Sequence, residues 1–457
     1  MRCLYCGLLQ DEPVGVKVCA HCGGELAFEG APPAHSYVQA WMALDQVHAP
    51  AEQIVERHLI VTLETPTEVP AEEAAPTATG REPLAFVAVL DVSGSMRGPK
   101  MDAAKEAVRQ AVRRLRGGDI FSLVTFSSHV QTVLPPGVVN SRLQSKVEQA
   151  LQALSATGST ALCGGLEAGL AAAAQCRQET NLVLLLSDGQ ANVGETDLEM
   201  IGTRAFAART QGITTSTLGV GTDYNEALMV EIATQGGGRF YHVLQAHQIA
   251  PYVAGELGEM SALAALGVQL KLALPSGAGL RPFSSAYVVC NGGTVDVGDI
   301  PVDTHLEVVL RLLLPPQEAG ARLRLEGVLA YRSPGGHTLE TPLNVVTLRY
   351  APAAQFSRRD GAVRPVVERV VEQMRASGVL SSVRAAALHG QTAAEERSRI
   401  SLAELRDYAS LLGDERAEEL AQEGRQLFAA MAAAPSQAKA TVREAFRSQR
   451  GGKDFEQ

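Results

Sequence analysis

Apolar and polar positions change period several times along the chain. Tyr37-Val38-Gln39-Ala40-Trp41 and Leu59-Ile60-Val61-Thr62-Leu63 alternate or run apolar at strand length, so residues 35–65 are expected to supply strands. Residues 66–83 are rich in Pro, Ala, Glu and Thr without periodicity and read as a linker. From Leu84 strands and helices alternate. Leu84–Leu90 and Leu182–Leu186 are continuous apolar runs, as expected of parallel strands buried on both faces. Between and after them fall helical stripes over Lys100–Arg116, Ser141–Leu154, Leu162–Ala174, Leu198–Arg209, Asn225–Thr234 and Ile249–Ala265, and further strands over Ile120–Phe126, Ile213–Val220 and Phe240–Val243. Such alternation over 84–264 predicts a doubly wound α/β unit, whose ligands bind beyond the carboxyl ends of the strands. Across 265–352 the helical period gives way to short strands (Val268–Leu274, Leu306–Leu313, Leu323–Tyr331, Leu343–Tyr350) punctuated by Pro and Gly, the pattern of an antiparallel β-sandwich. Residues 355–450 are helical again, with one apolar stripe through Val363, Val366, Val367, Val370, Val371 and Met374 and another through Leu402, Leu405, Tyr408, Leu411 and Leu412.

The 457 residues suit several domains, and 46% apolar with 20% charged residues excludes fibrous or wholly disordered chains. Forty basic against fifty acidic residues give a formal charge of -10, which argues against a globally basic nucleic-acid binder. No apolar run reaches the ~18–20 residues of a membrane span, and Met1-Arg2-Cys3-Leu4-Tyr5-Cys6 shows no secretory h-region. The expected location is the cytoplasm.

Four of the seven cysteines fall in the first 22 residues, as Cys3-x2-Cys6 and Cys19-x2-Cys22. In a reducing compartment this spacing reads as metal binding, two thiolates per knuckle turn. The segment 1–30 resembles a zinc ribbon in Cys-Leu-Tyr-Cys-Gly and Cys-Ala-His-Cys-Gly. Zn²⁺ is the expected structural ion, with a four-cysteine iron site as the competitor. His21 reads as an exposed turn residue, and Cys163, Cys176 and Cys290 as small buried hydrophobes.

The most informative chemistry is Asp91-Val92-Ser93-Gly94-Ser95-Met96, just past the first buried strand. A carboxylate and two hydroxyls on alternate residues of a tight loop form a hard oxygen donor set suited to Mg²⁺ or Mn²⁺. Gly158-Ser159-Thr160-Ala161 and Ser187-Asp188-Gly189 are expected at the same sheet edge. With these residues the 84–264 segment resembles a von Willebrand factor A domain carrying a metal-ion-dependent adhesion site. The pattern Asp-x-Ser-x-Ser, a threonine and a later aspartate is filled by Asp91, Ser93, Ser95, Thr160 and Asp188. Gly219-Val220-Gly221, Glu231-Ile232-Ala233 and Gly236-Gly237-Gly238 match as flanking text. The resemblance implies hydroxyls bound directly to Mg²⁺ (or Mn²⁺ or Ca²⁺), aspartates acting largely through water, and an open position that takes a carboxylate of a partner protein.

The order of elements is similar to that of inter-alpha-trypsin-inhibitor heavy chains and of bacterial cytosolic A-domain proteins. It implies an A domain inserted into a β-sandwich whose first strands are residues 35–65, with Trp41 buried against residues 268–350. The fold class expected is therefore multidomain: zinc ribbon, α/β doubly wound domain in a β-sandwich, and a C-terminal helical segment. The expected function is a non-enzymatic protein–protein interaction scaffold. A nucleic-acid-associated protein reading through the ribbon is one alternative, opposed by Asp11, Glu12, Glu25 and Glu29 against Arg2 and Lys17. A Mg²⁺-dependent hydrolase is another, opposed by the want of a recognisable acid–base pair, phosphate loop or nucleophile elbow.

Overall fold

The computed structural model describes residues 2–9, 18–24, 37–73, 82–290, 292–433 and 435–450. The expected ribbon residues 10–17 and 25–30 and the linker residues 74–81 lie outside them. The chain divides into two compact units: 2–73, 264–430 and 448–450 belong to the first, and 82–263 with 431–447 to the second. Strands β1 (Gln39–Leu44), β2 (His48–Pro50) and β3 (Val55–Glu64) open the first unit.

The second unit follows as β4 (Leu84–Asp91), α1 (Pro99–Arg114), β5 (Ile120–Phe126), β6 (Val130–Val138), α2 (Ser141–Ala153), α3 (Leu162–Gln175) and β7 (Thr180–Ser187). It continues through α4 (Leu198–Arg209), β8 (Thr214–Val220), α5 (Glu226–Gln235), β9 (Gly237–Val243) and α6 (Ile249–Met260). Its six-stranded sheet has the order β6-β5-β4-β7-β8-β9, parallel except for β6. Every residue of β4 and β7 is buried, which is why both read as unbroken apolar runs. From β4 the chain turns to one side to form β5 and later to the other to form β7. The carboxyl end of β4 is thus the switch point where such sheets place ligands. The edge strand β6 was not expected, because Pro135-Pro136 and a mostly exposed face hide its alternation.

The first unit then resumes with β10 (Leu263–Ala273), β11 (Gly279–Pro282), β12 (Val288–Cys290), β13 (Thr294–Pro301), β14 (His305–Leu314), β15 (Arg322–Arg332), β16 (Thr338–Pro342) and β17 (Val346–Ala351). Helices α7 (Arg364–His389), α8 (Gln391–Ala409), α9 (Asp414–Ala433) and α10 (Pro435–Arg450) complete the chain. One sheet has the order β1-β3-β14-β11 and another β12-β13-β10-β15-β17-β2, with β16 on β15. The early strand β3 sits between β1 and the much later β14, paired antiparallel along its whole length, from His305 opposite Glu64 to Leu314 opposite Val55. Met42, Leu44, Leu59, Val61 and Leu63 share one apolar core with Leu270, Leu272, Leu329, Val346 and Leu348 of the other sheet.

Three expectations need correction. Trp41 is not buried against residues 268–350. It lies out of register with Met42 and Leu44 on β1, is only half-buried, and carries the Arg2 guanidinium 4.2 Å from its ring centroid. The helix expected to reach Ala265 stops at Met260, where the Ser261 amide donates to the Leu257 carbonyl at 3.0 Å. Leu263–Leu266, apolar like the helix before them, already belong to β10, so periodicity could not separate the two. Cys290, expected buried, is exposed at the end of the edge strand β12, whereas Cys163 is buried and Cys176 half-buried.

The tail is also divided. Residues Val363, Val366, Val367, Val370 and Val371 of the predicted stripe are buried with Ala43, Ile60 and Val309 on the outer side of the four-stranded sheet. Residues 431–447 belong instead to the second unit, where the Phe446 ring meets Phe240 at 6.1 Å and the Lys439 ammonium lies 3.7 Å from the Tyr224 ring centroid. Among the described residues no helix is long and apolar enough to cross a membrane.

Candidate functional site

At the carboxyl edge of the α/β sheet, three loops are laced by main-chain hydrogen bonds before any side chain is considered. The Gly94 amide donates to Gly158 O at 3.0 Å, Thr157 to Val92 O at 2.8 Å, and Val92 to Phe126 O at 2.8 Å. These bonds fix the loop after β4 against the loop before α3. Asp91 is the last residue of β4 and is fully buried. Its Oδ1 accepts from the Ser93 amide at 2.8 Å and its Oδ2 from the Ser187 hydroxyl at 2.6 Å. The Ser93 and Ser95 hydroxyls are 3.0 Å apart, and Ser95 Oγ donates to Asp188 Oδ1 at 2.7 Å. Thr160 reaches the same place because its amide donates to Asn192 Oδ1 at 2.8 Å, while the Asn192 amide returns a bond to Thr160 O at 3.1 Å.

Gly189 reports where these groups converge. A Cβ built on it would lie 3.0 Å from Thr160 Oγ1, 3.6 Å from Ser95 Oγ and 3.7 Å from Asp91 Oδ2. Three oxygens, two from the loop after β4 and one from the loop before α3, therefore surround one spot on the loop after β7 that a single methyl would enter. The structure brings together Asp91, Ser93, Ser95, Thr160 and Asp188, a donor set of hard oxygens with two carboxylates that fits an octahedral divalent ion. Burial pushes the Asp91 carboxyl up, the neighbouring Asp188 adds to that shift, and the Ser187 and Ser93 hydrogen bonds oppose it. A cation at this spot would relieve both unfavourable contributions.

Three contributors were not singled out from the sequence. Ser187 and Asn192 hold Asp91 and Thr160 by hydrogen bonds, roles that serine and asparagine fill in any loop, so no spacing announces them. The third is Lys100, at the start of α1, whose Nζ lies 2.5 Å from Asp188 Oδ2.

Next to this edge, the loop after β8 contributes an Asn225 amide bond to Gly189 O at 3.4 Å. The Tyr224 carbonyl in that loop accepts from the buried Lys439 Nζ at 2.8 Å. Burial raises the Glu226 carboxyl from its ordinary 4.5 to about 7, with Lys439 opposing, and its Oε1 has no hydrogen-bond partner. With its pKa raised on folding, Glu226 stabilises the chain fully below about pH 4.5, and this contribution is lost as pH rises through about 7. Glu226→Gln is expected to remove that loss. Thermal melts from acid to alkaline pH should show the variant above the native chain at pH ~8 and level with it near pH ~4.5.

The first unit holds the cysteine cluster. Cys3, Cys6, Cys19 and Cys22 present sulfurs all within 4.8 Å of one another, and among the described residues no other cluster of three or more His, Cys, Asp or Glu side chains converges in this way. The two knuckles repeat the same bonds: Gly7 to Cys3 O at 2.9 Å with Cys3 to Leu8 O at 3.0 Å, and Gly23 to Cys19 O at 2.9 Å with Cys19 to Gly24 O at 2.8 Å. Neighbouring sulfurs, and after them burial, push the Cys6 thiol up. Cys22 is pushed up to about 12 chiefly by Cys3, and Cys3 is pulled down by Cys22 and Cys6. Four thiols so crowded ionise together only around a cation, and the soft tetrahedral set fits Zn²⁺. His21 is exposed.

An alternating β/α unit with this edge constellation defines a class, and residues 86–251 match the von Willebrand factor type A domain family. That stretch is thus a VWA domain, and YfbK and inter-alpha-trypsin inhibitor heavy chains are among the proteins to which the chain is similar. The uncharacterized protein YfbK of Escherichia coli (strain K12) is 28% identical over 254 residues, 51% of this chain and 42% of that protein. Bos taurus inter-alpha-trypsin inhibitor heavy chain H3 is 29% identical over 36% of this chain and 19% of its own. The chain thus spans less than half the length of either relative. In solved structures, the ArnB paralog VWA2 from Sulfolobus acidocaldarius superposes with a TM-score of 0.60 at 19% identity, covering 91% of this chain and 98% of that one. A von Willebrand factor type A protein from Catenulispora acidiphila gives 0.59 at 20% identity, covering 81% and 89%. At these identities the likeness is one of fold.

Proposed function

We propose that the chain is a non-enzymatic protein–protein interaction scaffold whose VWA site docks an acidic residue of a partner protein through a divalent cation. Asp91, Ser93, Ser95, Thr160 and Asp188 hold the ion, Mg²⁺ first, with Mn²⁺ or Ca²⁺ as substitutes. The observation that carries this reading is the spot beside Gly189, on the loop after β7, within 3.7 Å of three side-chain oxygens from the two facing loops. Ion and carboxylate together form a short charge-assisted contact that dries the interface locally and sets orientation. On this reading Cys3, Cys6, Cys19 and Cys22 hold a structural Zn²⁺, residues 35–65 and 265–352 form a β-sandwich into which the VWA domain is inserted, and the reduced thiols suit the cytoplasm.

Affinity capture from lysate tests the docking. Partners retained by the native chain in Mg²⁺ are expected to be lost with Asp91→Ala in the same buffer, and lost from the native chain in chelator until Mg²⁺ is restored. Equal retention by Asp91→Ala would place docking elsewhere on the molecule.

A further inference from the structure

The Lys100–Asp188 pair is not needed to form the oxygen donor set, yet it sits directly on it. Lys100 follows Gly98 (φ 76°) and Pro99 at the start of α1, so its backbone is set by the turn that ends the Asp91–Met96 loop. Its Nζ contacts Asp188 Oδ2 at 2.5 Å, with Asp188 wholly buried and the lysine side chain 30% exposed. The loop after β8 covers it: a Cβ on Gly221 would lie 3.4 Å from Lys100 Nζ. The other oxygen of Asp188 is taken by the Ser95 hydroxyl. Asp188 is therefore already neutralised by a cation and satisfied by a donor. Asp91 has only neutral donors, Ser93 and Ser187. Arg97, the next cation along the chain, is exposed and directs Nε to Ala156 O.

We propose that Lys100 is a built-in counter-cation of the metal site: it weakens the hold on the divalent ion and leaves the loaded site with a net positive charge, which selects an anionic group, a carboxylate, for the open position. This role rests on the docking reading above. Two carboxylates balance a divalent ion and would leave a neutral site, with no long-range preference for a carboxylate over a hydroxyl or water. An ammonium on one of those carboxylates shifts the loaded site to a single positive charge, and in a partly buried setting that excess attracts an anion strongly. The same charge repels the incoming metal. Lys100 also keeps Asp188 paired when the metal is away, so the loops need not open.

Opposite signs on two readouts separate this role from a merely structural one. Calorimetric titration of the full chain with Mn²⁺ alone, with Asp91→Ala as the blank for other sites, is expected to show Lys100→Gln binding roughly tenfold tighter than the native chain. Lys100→Arg, which keeps the charge, should bind like the native chain. A hexaglutamate peptide titrated into the Mn²⁺-loaded protein should bind the native chain more tightly than Lys100→Gln. Without metal, Lys100→Gln should melt earlier, and saturating Mn²⁺ should close the gap. Equal or weaker Mn²⁺ binding by Lys100→Gln, or equal peptide binding, overturns this inference and leaves the docking reading standing. Mn²⁺ binding no better than that of Asp91→Ala in both proteins removes the metal reading, and the inference with it.

Discussion

Cys6→Ser is expected to destabilise the whole first unit by more than about 3 kcal/mol, rather than fraying its first residues. The reason is how the knuckle is seated. The Cys6 carbonyl accepts from the Leu44 amide at 3.0 Å, and the Tyr5 carbonyl from the Thr347 amide at 3.2 Å. Gly7 adopts φ 80°, and a Cβ there would fall 1.9 Å from the Met42 carbonyl, so the turn lies directly on β1. Arg349 stacks on the Tyr5 ring at 3.7 Å. Cys3, Tyr5, Cys6 and Cys19 are buried in one cluster with Ala43, Ile60, Val309, Val363, Val366 and Val370. A cysteine knuckle cannot hold this shape on its own few residues; on the proposed reading a Zn²⁺ ion would hold the thiolates and the sheet would receive the result. A serine in place of one buried sulfur opens the donor set, and the apolar outer face of the sheet then loses its cover. Hydrogen exchange gives the reading: the Leu44 and Thr347 amides should lose protection in Cys6→Ser while the amides of β4 and β7 keep theirs. Unchanged protection at Leu44 would show that the knuckle is only an appendage.

The parts of this molecule legible in its sequence are those where one physical pattern dominates. β4 and β7 are buried on both faces, and a stretch that must be apolar throughout announces itself. The Asp91–Ser95 loop is legible for a different reason: oxygen donors on alternate residues after a buried strand have few other uses. Trp41 shows the limit. Its strand was legible, but the sheet has apolar cover on both sides, so Met42 and Leu44 on one face and Ala43 on the other give no parity signal. The short strands β11, β12 and β16 are paired through backbone groups and carry largely exposed or half-exposed side chains, so little hydrophobic pattern was there to read. The same holds at the site. Lys100 lies 88 residues from Asp188 in sequence, and a lysine in the first turn of an amphipathic helix looks like any solvated one until the fold brings α1 beside the end of β7.

Gly189→Ala is expected to abolish divalent-ion binding while leaving every donor in place. The added methyl would press on Thr160 Oγ1 at 3.0 Å and abut Ser95 Oγ and Asp91 Oδ2, occupying the spot on which the three oxygens converge. Gly189 does not use the left-handed backbone region, so alanine brings no conformational strain. Its amide bond to Ser187 Oγ and the Asn225 bond to its carbonyl are untouched. Stability should therefore change by less than about 1 kcal/mol, the ordinary range for a substitution that neither opens a cavity nor strands a polar group. Asp188→Ala differs in kind, because it removes a charge and leaves Lys100 unpaired. If the ion sits where the oxygens meet, the two variants lose Mn²⁺ binding together, and partner capture falls with both. Only Asp188→Ala should alter the electrostatics of the metal-free site. Calorimetry with Mn²⁺, thermal melts without metal and capture in Mg²⁺ distinguish them. Retained Mn²⁺ affinity in Gly189→Ala would mean that the ion is held away from this spot, and that the convergence of the three loops serves only to close the sheet edge.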